Sequence, residues 1–158
     1  MCTQNAGRGT GNHGICPAGW SVPTHAAWAT MLNSVETENK NIGTTTGYQG
    51  ASVGRMLKTS DVCAASTPQC ASDENAKNNF NAIALEARNP YGFNILSSGF
   101  RSGSVGLYTS RGYYSYQWSG SALNSQYGWG WVFRSNMNTV ASSGHWRTMA
   151  FSVRCQRN

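Results

Sequence analysis

Tyr113-Tyr114-Ser115-Tyr116-Gln117-Trp118 and Trp129-Gly130-Trp131-Val132-Phe133-Arg134 are the two stretches that decide the fold class of this chain. Trp129, Trp131 and Phe133 alternate, and a period of two puts their rings on one face of a β-strand. The same period sets Tyr114 and Tyr116 on the face opposite Tyr113 and Ser115, unless a loop breaks it. Further short strands separated by Gly/Ser turns are expected at Phe93–Leu96, Val105–Tyr108 and Thr148–Cys155, where Phe151 and Val153 alternate. The later half therefore reads as an antiparallel sheet.

The earlier half carries a helical period instead. Pro23 and Thr24 set up a helix start with Thr24 as N-cap, and Trp28, Met31, Leu32 and Val35 follow at i, i+3, i+4 and i+7, one apolar face that belongs to the core. A second short helix is expected over Ala51–Lys58, with Val53, Met56 and Leu57 inward and a polar Gly/Thr loop before it. Residues 1–13 read as an irregular lead-in and residues 59–91 as a long excursion with a helical turn near Asp73–Phe80. Two small helices followed by an antiparallel sheet make an α+β domain, here a single one over residues 14–158. At 158 residues the chain can bury about two-thirds of the surface its unfolded form exposes.

Only 11% of the residues are charged, and the net charge of +6 is unevenly placed. Residues 1–86 hold all six acids, whereas residues 87–158 hold seven arginines, no lysine and no acid. The arginines are spread rather than clustered, so nucleic acid is not the expected partner. Between Tyr108 and Asn136 lie five tyrosines, three tryptophans, six serines and four glycines. Rigid amphipathic rings beside adaptable hydrogen-bonding residues compose a recognition surface.

Five cysteines, Cys2, Cys16, Cys63, Cys70 and Cys155, lack the spacing of a structural zinc site and suit disulfides in an oxidising compartment. Cys63 and Cys70 flank a short loop, and a Cys16 to Cys155 bond would tie the start of the domain to its end. In a chain-entropy treatment the short loop contributes about 2.5 kcal/mol and the long closure about 5 kcal/mol. Cys2 is then odd: free, bonded to another chain, or a remnant of a longer N-terminal region. No signal peptide or membrane-spanning stretch is read, and Met1 directly before Cys2 suggests the C-terminal fragment of a larger exported protein.

Much chemistry is excluded. Glycosidase or aspartic-protease catalysis needs two converging carboxylates, and Glu36, Glu38, Asp61, Asp73, Glu74 and Glu86 all fall in helix ends or polar loops. His13, His25 and His145 lie apart and read as surface or turn residues. No Gly-x-Ser-x-Gly elbow, dinucleotide loop or P-loop is present. No enzymatic activity, cofactor or metal is expected, although the early acids leave a calcium site open.

Five ordered motifs carry a resemblance. Gly14-Ile15-Cys16-Pro17-Ala18-Gly19-Trp20-Ser21-Val22-Pro23-Thr24 with Trp28, Gly54-Arg55-Met56-Leu57-Lys58, Gly92-Phe93-Asn94-Ile95-Leu96 with Gly99-Phe100-Arg101, Trp118-Ser119, and Phe151-Ser152-Val153-Arg154-Cys155 resemble the Fibrobacter succinogenes major paralogous domain. The resemblance implies a C-type lectin-like fold: two short helices and small antiparallel sheets, with the termini brought together and Cys16 bonded to Cys155. It also implies a ligand-binding or adhesive module of secreted, cell-surface or phage-borne proteins. Some members of the fold resemble variable proteins of diversity-generating retroelements, and here Tyr, Ser, Gly, Asn and Arg alternate with a Trp/Phe scaffold in that manner. The calcium-binding Glu-Pro-Asn, Gln-Pro-Asp and Trp-Asn-Asp motifs of glycan-binding relatives are absent. Formylglycine-generating enzymes share the fold but use a reactive cysteine pair, whereas the cysteines here sit at framework positions.

The expected function is receptor recognition by a non-enzymatic module, with an enzyme of that type or a basic nucleic-acid or acidic-glycan binder as alternatives. Candidate ligand-binding residues are Tyr113, Tyr114, Tyr116, Ser119, Asn124, Gln126, Tyr127, Arg134 and Asn136, with His145 and Arg147 at the edge. The expected partner is a protein or glycan receptor on a cell surface, without membrane insertion. The expected location is extracellular, on a cell surface or on a phage particle.

Overall fold

The chain is described by a computed structural model over residues 15–58, 90–134 and 137–158. The lead-in, Cys2, the Cys63–Cys70 pair, the turn near Asp73–Phe80 and Asn136 lie outside the described residues.

Helix α1 spans His25–Val35, and the Thr24 hydroxyl accepts from the Ala27 N–H at 3.1 Å, the expected N-cap. Its Trp28, Leu32 and Val35 are buried, with Met31 packed at the margin. The helix ends at Glu36, whose side chain is only 1% exposed. One Glu36 oxygen accepts from the N–H groups of Ala51, Ser52 and Val53, and the other from Thr37, Glu38 and the Ser52 hydroxyl. A single carboxylate thus closes one helix and opens the next.

Helix α2 covers Val53–Leu57, shorter than the expected Ala51–Lys58. The N–H groups of Ala51 and Ser52 are directed to Glu36, and Lys58 is extended and bridges to Ile95. The G-x-x-L-K motif acquires a reason for each of its residues. Gly54 packs directly on the Asn138–Thr139 backbone, where a Cβ would collide, and its N–H donates to the Asn138 carbonyl at 2.7 Å. Leu57 enters the core, and the buried Lys58 Nζ donates to the carbonyls of Arg134 and Met137 at 2.8 and 2.7 Å.

Three antiparallel sheets are formed among the described residues. Strands β2 (Gly47–Gln49), β5 (Tyr114–Ala122), β6 (Tyr127–Arg134) and β7 (Val140–Trp146) form the largest, in the order β2-β7-β6-β5. Strands β1 (Trp20–Ser21) and β8 (Gln156–Arg157) pair the two ends of the described chain, next to the Cys16–Cys155 disulfide. Strands β3 (Phe100–Arg101) and β4 (Tyr108–Thr109) form a small hairpin. The arrangement is α+β, as the two hydrophobic periods imply.

Both helices pack on the inner face of the large sheet, where Trp28, Leu32, Val35, Ile42, Val53, Leu57, Ile95, Trp131, Phe133 and Val140 form the core. Trp131 is flanked across the strands by Gln117 and Ser142, and Phe133 by Ser115 and Val140. The two serines leave room for the large rings. This explains why β5 buries Ser115, Gln117 and Ser119, while Tyr114, Tyr116 and Trp118 face outward and are half-buried.

Several expected elements differ. Phe93–Leu96 makes only a bridge from Ile95 to Lys58, because Phe93 and Ile95 pack inward beside a left-handed Asn94. Val105–Tyr108 is mostly the β3–β4 turn. Thr148–Cys155 makes isolated bridges at Ala150 and Ser152, and the strand begins only at Gln156. The polar loop before α2 contains β2, and β7, with its Ala, Ser and Gly, was not expected as a strand. Its small residues carry little strand signal, yet it lies inside the sheet because they fit beside Trp131.

Burial alone would raise the Glu36 carboxyl, but the Ser52 backbone and hydroxyl, then the Glu38 and Ala51 N–H groups, hold it below the usual carboxylate range. A carboxyl depressed on folding stabilises fully above its unfolded value near 4.5 and loses that stabilisation as pH falls toward the folded one. Glu36→Gln is expected to cost about 2–4 kcal/mol in chemical denaturation at neutral pH and to flatten the acid limb of the stability profile. An unchanged midpoint would remove the carboxylate from this role. Breaking the Cys16–Cys155 bond, which closes a separation of 139 residues, is expected to cost about 5 kcal/mol, read as a lowered melting temperature of the Cys16→Ser, Cys155→Ser variant.

Candidate functional site

The outer face of the large sheet is set by its register. Tyr48 of β2 lies opposite Ala141, Ala141 opposite Val132, and Val132 opposite Tyr116, so two tyrosines stand at the ends of a row whose middle is short. With strands about 4.8 Å apart, that row is about 14 Å wide. Arg134 is the next outward residue on β6 and pairs with Tyr114 on β5.

The guanidinium of Arg134 lies 5.6 Å from the Tyr113 ring centre and 5.4 Å from that of Tyr114, within reach of cation–π attraction. The Tyr113 phenol raises its pKa, against a smaller lowering by desolvation, and the Tyr48 phenol adds a lesser rise. Tyr113 precedes β5 in a turn, so its ring rejoins Tyr114 at 5.2 Å rather than facing away. Alternation fails at that one residue because the strand has not yet begun. Burial, then the Tyr114 and Tyr48 phenols, push the Tyr116 hydroxyl up.

Farther along β5 the outer face is covered by chain. Phe151 stacks on Trp118 at 4.3 Å and approaches Tyr116 at 4.8 Å, Phe100 packs on Tyr116 at 4.7 Å, and His145 lies 4.9 Å from Phe151. Gly130 lies beneath this cluster, where a Cβ would meet His145 and Phe151. The Ser143 hydroxyl is 2.8 Å from His145 Nε2. Tyr116 and His145 are thus partly used in holding the C-terminal segment against the sheet.

The other candidates lie at the far end of the strands. Between Tyr114 and Ala122 the strand advances about 25 Å. Asn124 accepts from the Gln126 and Tyr127 N–H groups, both at 2.9 Å, and shapes the β5–β6 turn. Arg147 donates from Nη2 to the Asn124 carbonyl at 2.6 Å, and its N–H donates to the Gln126 carbonyl. Tyr127 packs on its cross-strand partner Trp146, ring centres 4.2 Å apart, and Trp146 is 45% exposed.

The candidates therefore divide into two groups. Tyr113, Tyr114, Tyr116 and Arg134 meet at one end of the sheet; Asn124, Gln126, Tyr127 and Arg147 meet at the other, with His145 between them in the covered cluster. Ser119 joins neither: it is buried on the inner face and donates to the Trp129 carbonyl at 3.0 Å. His25 and His145 are not plain surface or turn residues. His25 stacks between Trp129 and Trp131 at 4.4 and 4.7 Å, and burial lowers the pKa of both histidines. Sequence reasoning missed Tyr48 and Trp146. Tyr48 falls in a Gly-rich stretch far from the other tyrosines, and Trp146 ends a strand that carries little strand signal.

Among the described residues no group of three or more His, Cys, Asp or Glu side chains comes together, and no helix is long and apolar enough to cross a membrane. Both described cysteines form the disulfide.

An α+β domain with its ends tied by a disulfide and tyrosines at both ends of its largest sheet is the class defined by these features. The chain belongs to the Fibrobacter succinogenes major domain family, whose family model matches residues 5–157. No curated protein and no solved structure matches it.

The depressed His145 and His25 take up protons more readily in the unfolded chain than in the folded one. Their stabilisation is complete above the ordinary value of 6.5 and is lost as pH falls below it. A melting series is expected to show this decline, with a smaller one in His145→Phe; identical slopes would contradict it.

Proposed function

We propose that this domain is a non-enzymatic binding module that recognises a protein or glycan receptor through the tyrosine-bearing ends of its largest sheet, on a C-type lectin-like fold. The observation that carries the reading is the outward placement of Tyr114 beside Tyr113 and Arg134, beyond the part of β5 that Phe100 and Phe151 cover, while β5 turns serines and a glutamine toward the core. Rings already held by neighbours lose little freedom on binding, which suits them to recognition.

Further support comes from chemistry. Residues 87–158 contain no carboxylate, so this half offers aromatic, amide and guanidinium contacts rather than acid–base pairs or calcium chelation. Cys16 and Cys155 are engaged with each other, which favours framework over nucleophile for this pair and agrees with an extracellular, cell-surface or phage location. Half-buried Tyr113, Tyr114, Tyr116 and Tyr127 and exposed Asn124, Ser125 and Gln126 beside buried Trp131 and Phe133 are the pattern expected if a retroelement rewrites adenines in their codons. A nearby template repeat differing only at adenines would support that part, and variation unrelated to adenines would defeat it.

The test is capture on arrays of glycans and receptor ectodomains by the wild-type domain, Tyr114→Ala and Tyr127→Ala. Each substitution is expected to weaken a captured ligand by about 1 kcal/mol or more while leaving the melting transition cooperative. Equal binding by all three proteins would overturn the assignment.

A further inference from the structure

We infer that the end of the sheet bearing Tyr48, Tyr113, Tyr114 and Arg134 is a subsite for a negatively charged sugar, whose carboxylate or sulfate is taken by the Arg134 guanidinium. The inference rests on the reading of the domain as a binding module and specifies the ligand class at one of its two ends.

Arg134 has the features of a prepared anion receptor. Its guanidinium sits against the rings of Tyr113 and Tyr114, 5.6 and 5.4 Å from their centres. No carboxylate of the described residues figures among its contacts. Of the acids in the described residues, Glu36 is engaged by five backbone N–H groups and the Ser52 hydroxyl on the core side, and Glu38 carries no contact to Arg134. Arg134 Nε is buried without a hydrogen-bond partner. A planar cation with no counter-charge among the described residues is suited to donate two parallel hydrogen bonds to a carboxylate or sulfate. The backbone beneath it is held as well, since Lys58 Nζ binds the Arg134 carbonyl.

The surroundings favour a sugar over other anions. Tyr48 is 48% exposed and stands across short Ala141 and Val132 from Tyr116. A ligand bound at Arg134 therefore meets an aromatic ring and several phenol hydroxyls together, which match the C–H face and the hydroxyls of a pyranose. A nucleic acid would need a track of cations, whereas Arg134 is the one arginine in this group.

The test uses isothermal titration of the whole domain with four probes: an oligogalacturonate, its methyl ester, a sulfated oligosaccharide of equal length, and an oligoglutamate. The expected result is that one of the two acidic sugars binds about tenfold or more tightly than the methyl ester, the two arms showing whether carboxylate or sulfate is preferred. Arg134→Gln is expected to erase that preference and Arg134→Lys to retain part of it, because lysine keeps the charge but not the fork. Should Arg134→Gln fail to fold, the salt dependence of the wild-type affinity decides: it weakens for the acid and not for the ester. Equal binding of acid and ester, no binding of either acidic sugar, an unchanged preference in Arg134→Gln, or oligoglutamate bound as tightly as the sugars would each overturn the inference. The array capture by Tyr114→Ala and Tyr127→Ala is read independently, so the anionic subsite can fail while the binding module stands.

Discussion

The Glu36 carboxylate is the contact on which the relation of the helices to the sheet depends. It sits at the end of α1, almost wholly removed from solvent, and collects the first N–H groups of α2. A buried charge left without such donors would be strongly unfavourable, so its presence requires the 51–53 backbone to be where it is. From there the constraint passes outward. Gly54 meets the Asn138–Thr139 backbone, and Lys58 meets the carbonyls of Arg134 and Met137. The end of the sheet that carries Arg134 and its tyrosines is thereby joined to the helical layer through hydrogen-bonded backbone rather than through loose side-chain packing.

The large sheet divides its residues by size as much as by polarity. Trp131 and Phe133 fill the inner face because Ser142 beside the first and Ser115 beside the second are short. On the outer face Gly130 is vacant enough for Phe151 and His145 to close over it, and Trp118 stacks on Phe151. The C-terminal segment thus covers the middle of the outer face; Tyr114 and Arg134 lie beyond it at one end, while Tyr127 and Trp146 lie at the other end on the side of the strands that carries Trp131.

Much of this was legible in the residues, for identifiable reasons. The α1 face from Trp28 to Val35 and its Thr24 cap were readable because they are local and periodic, and the Trp129, Trp131, Phe133 alternation was readable for the same reason. Strand β7 was not, since Val140 to Trp146 contains small residues whose place depends on the rings of neighbouring strands. Gly99 illustrates the same limit: its positive φ and its contact with the Thr109 carbonyl explain the motif glycine, yet the sequence shows only that a glycine is there. The candidate site was legible as a region. Its division into two ends was not, nor was the burial of Ser119, because both follow from pairing register and from the fold of the segment near Phe151.

By itself the sequence determined the α+β class, the capped first helix, the family motifs and the absence of carboxylates from the later half, since each is a matter of composition or short spacing. Tertiary structure alone decided which face of β5 looks outward, that Tyr48 joins tyrosines more than sixty residues away in sequence, and that Arg134 stands beside tyrosine rings with no acid of the described residues against it. The physical reason is that strand pairing brings together residues with no local relation, and only the filled core determines which side of a strand the remaining residues must occupy.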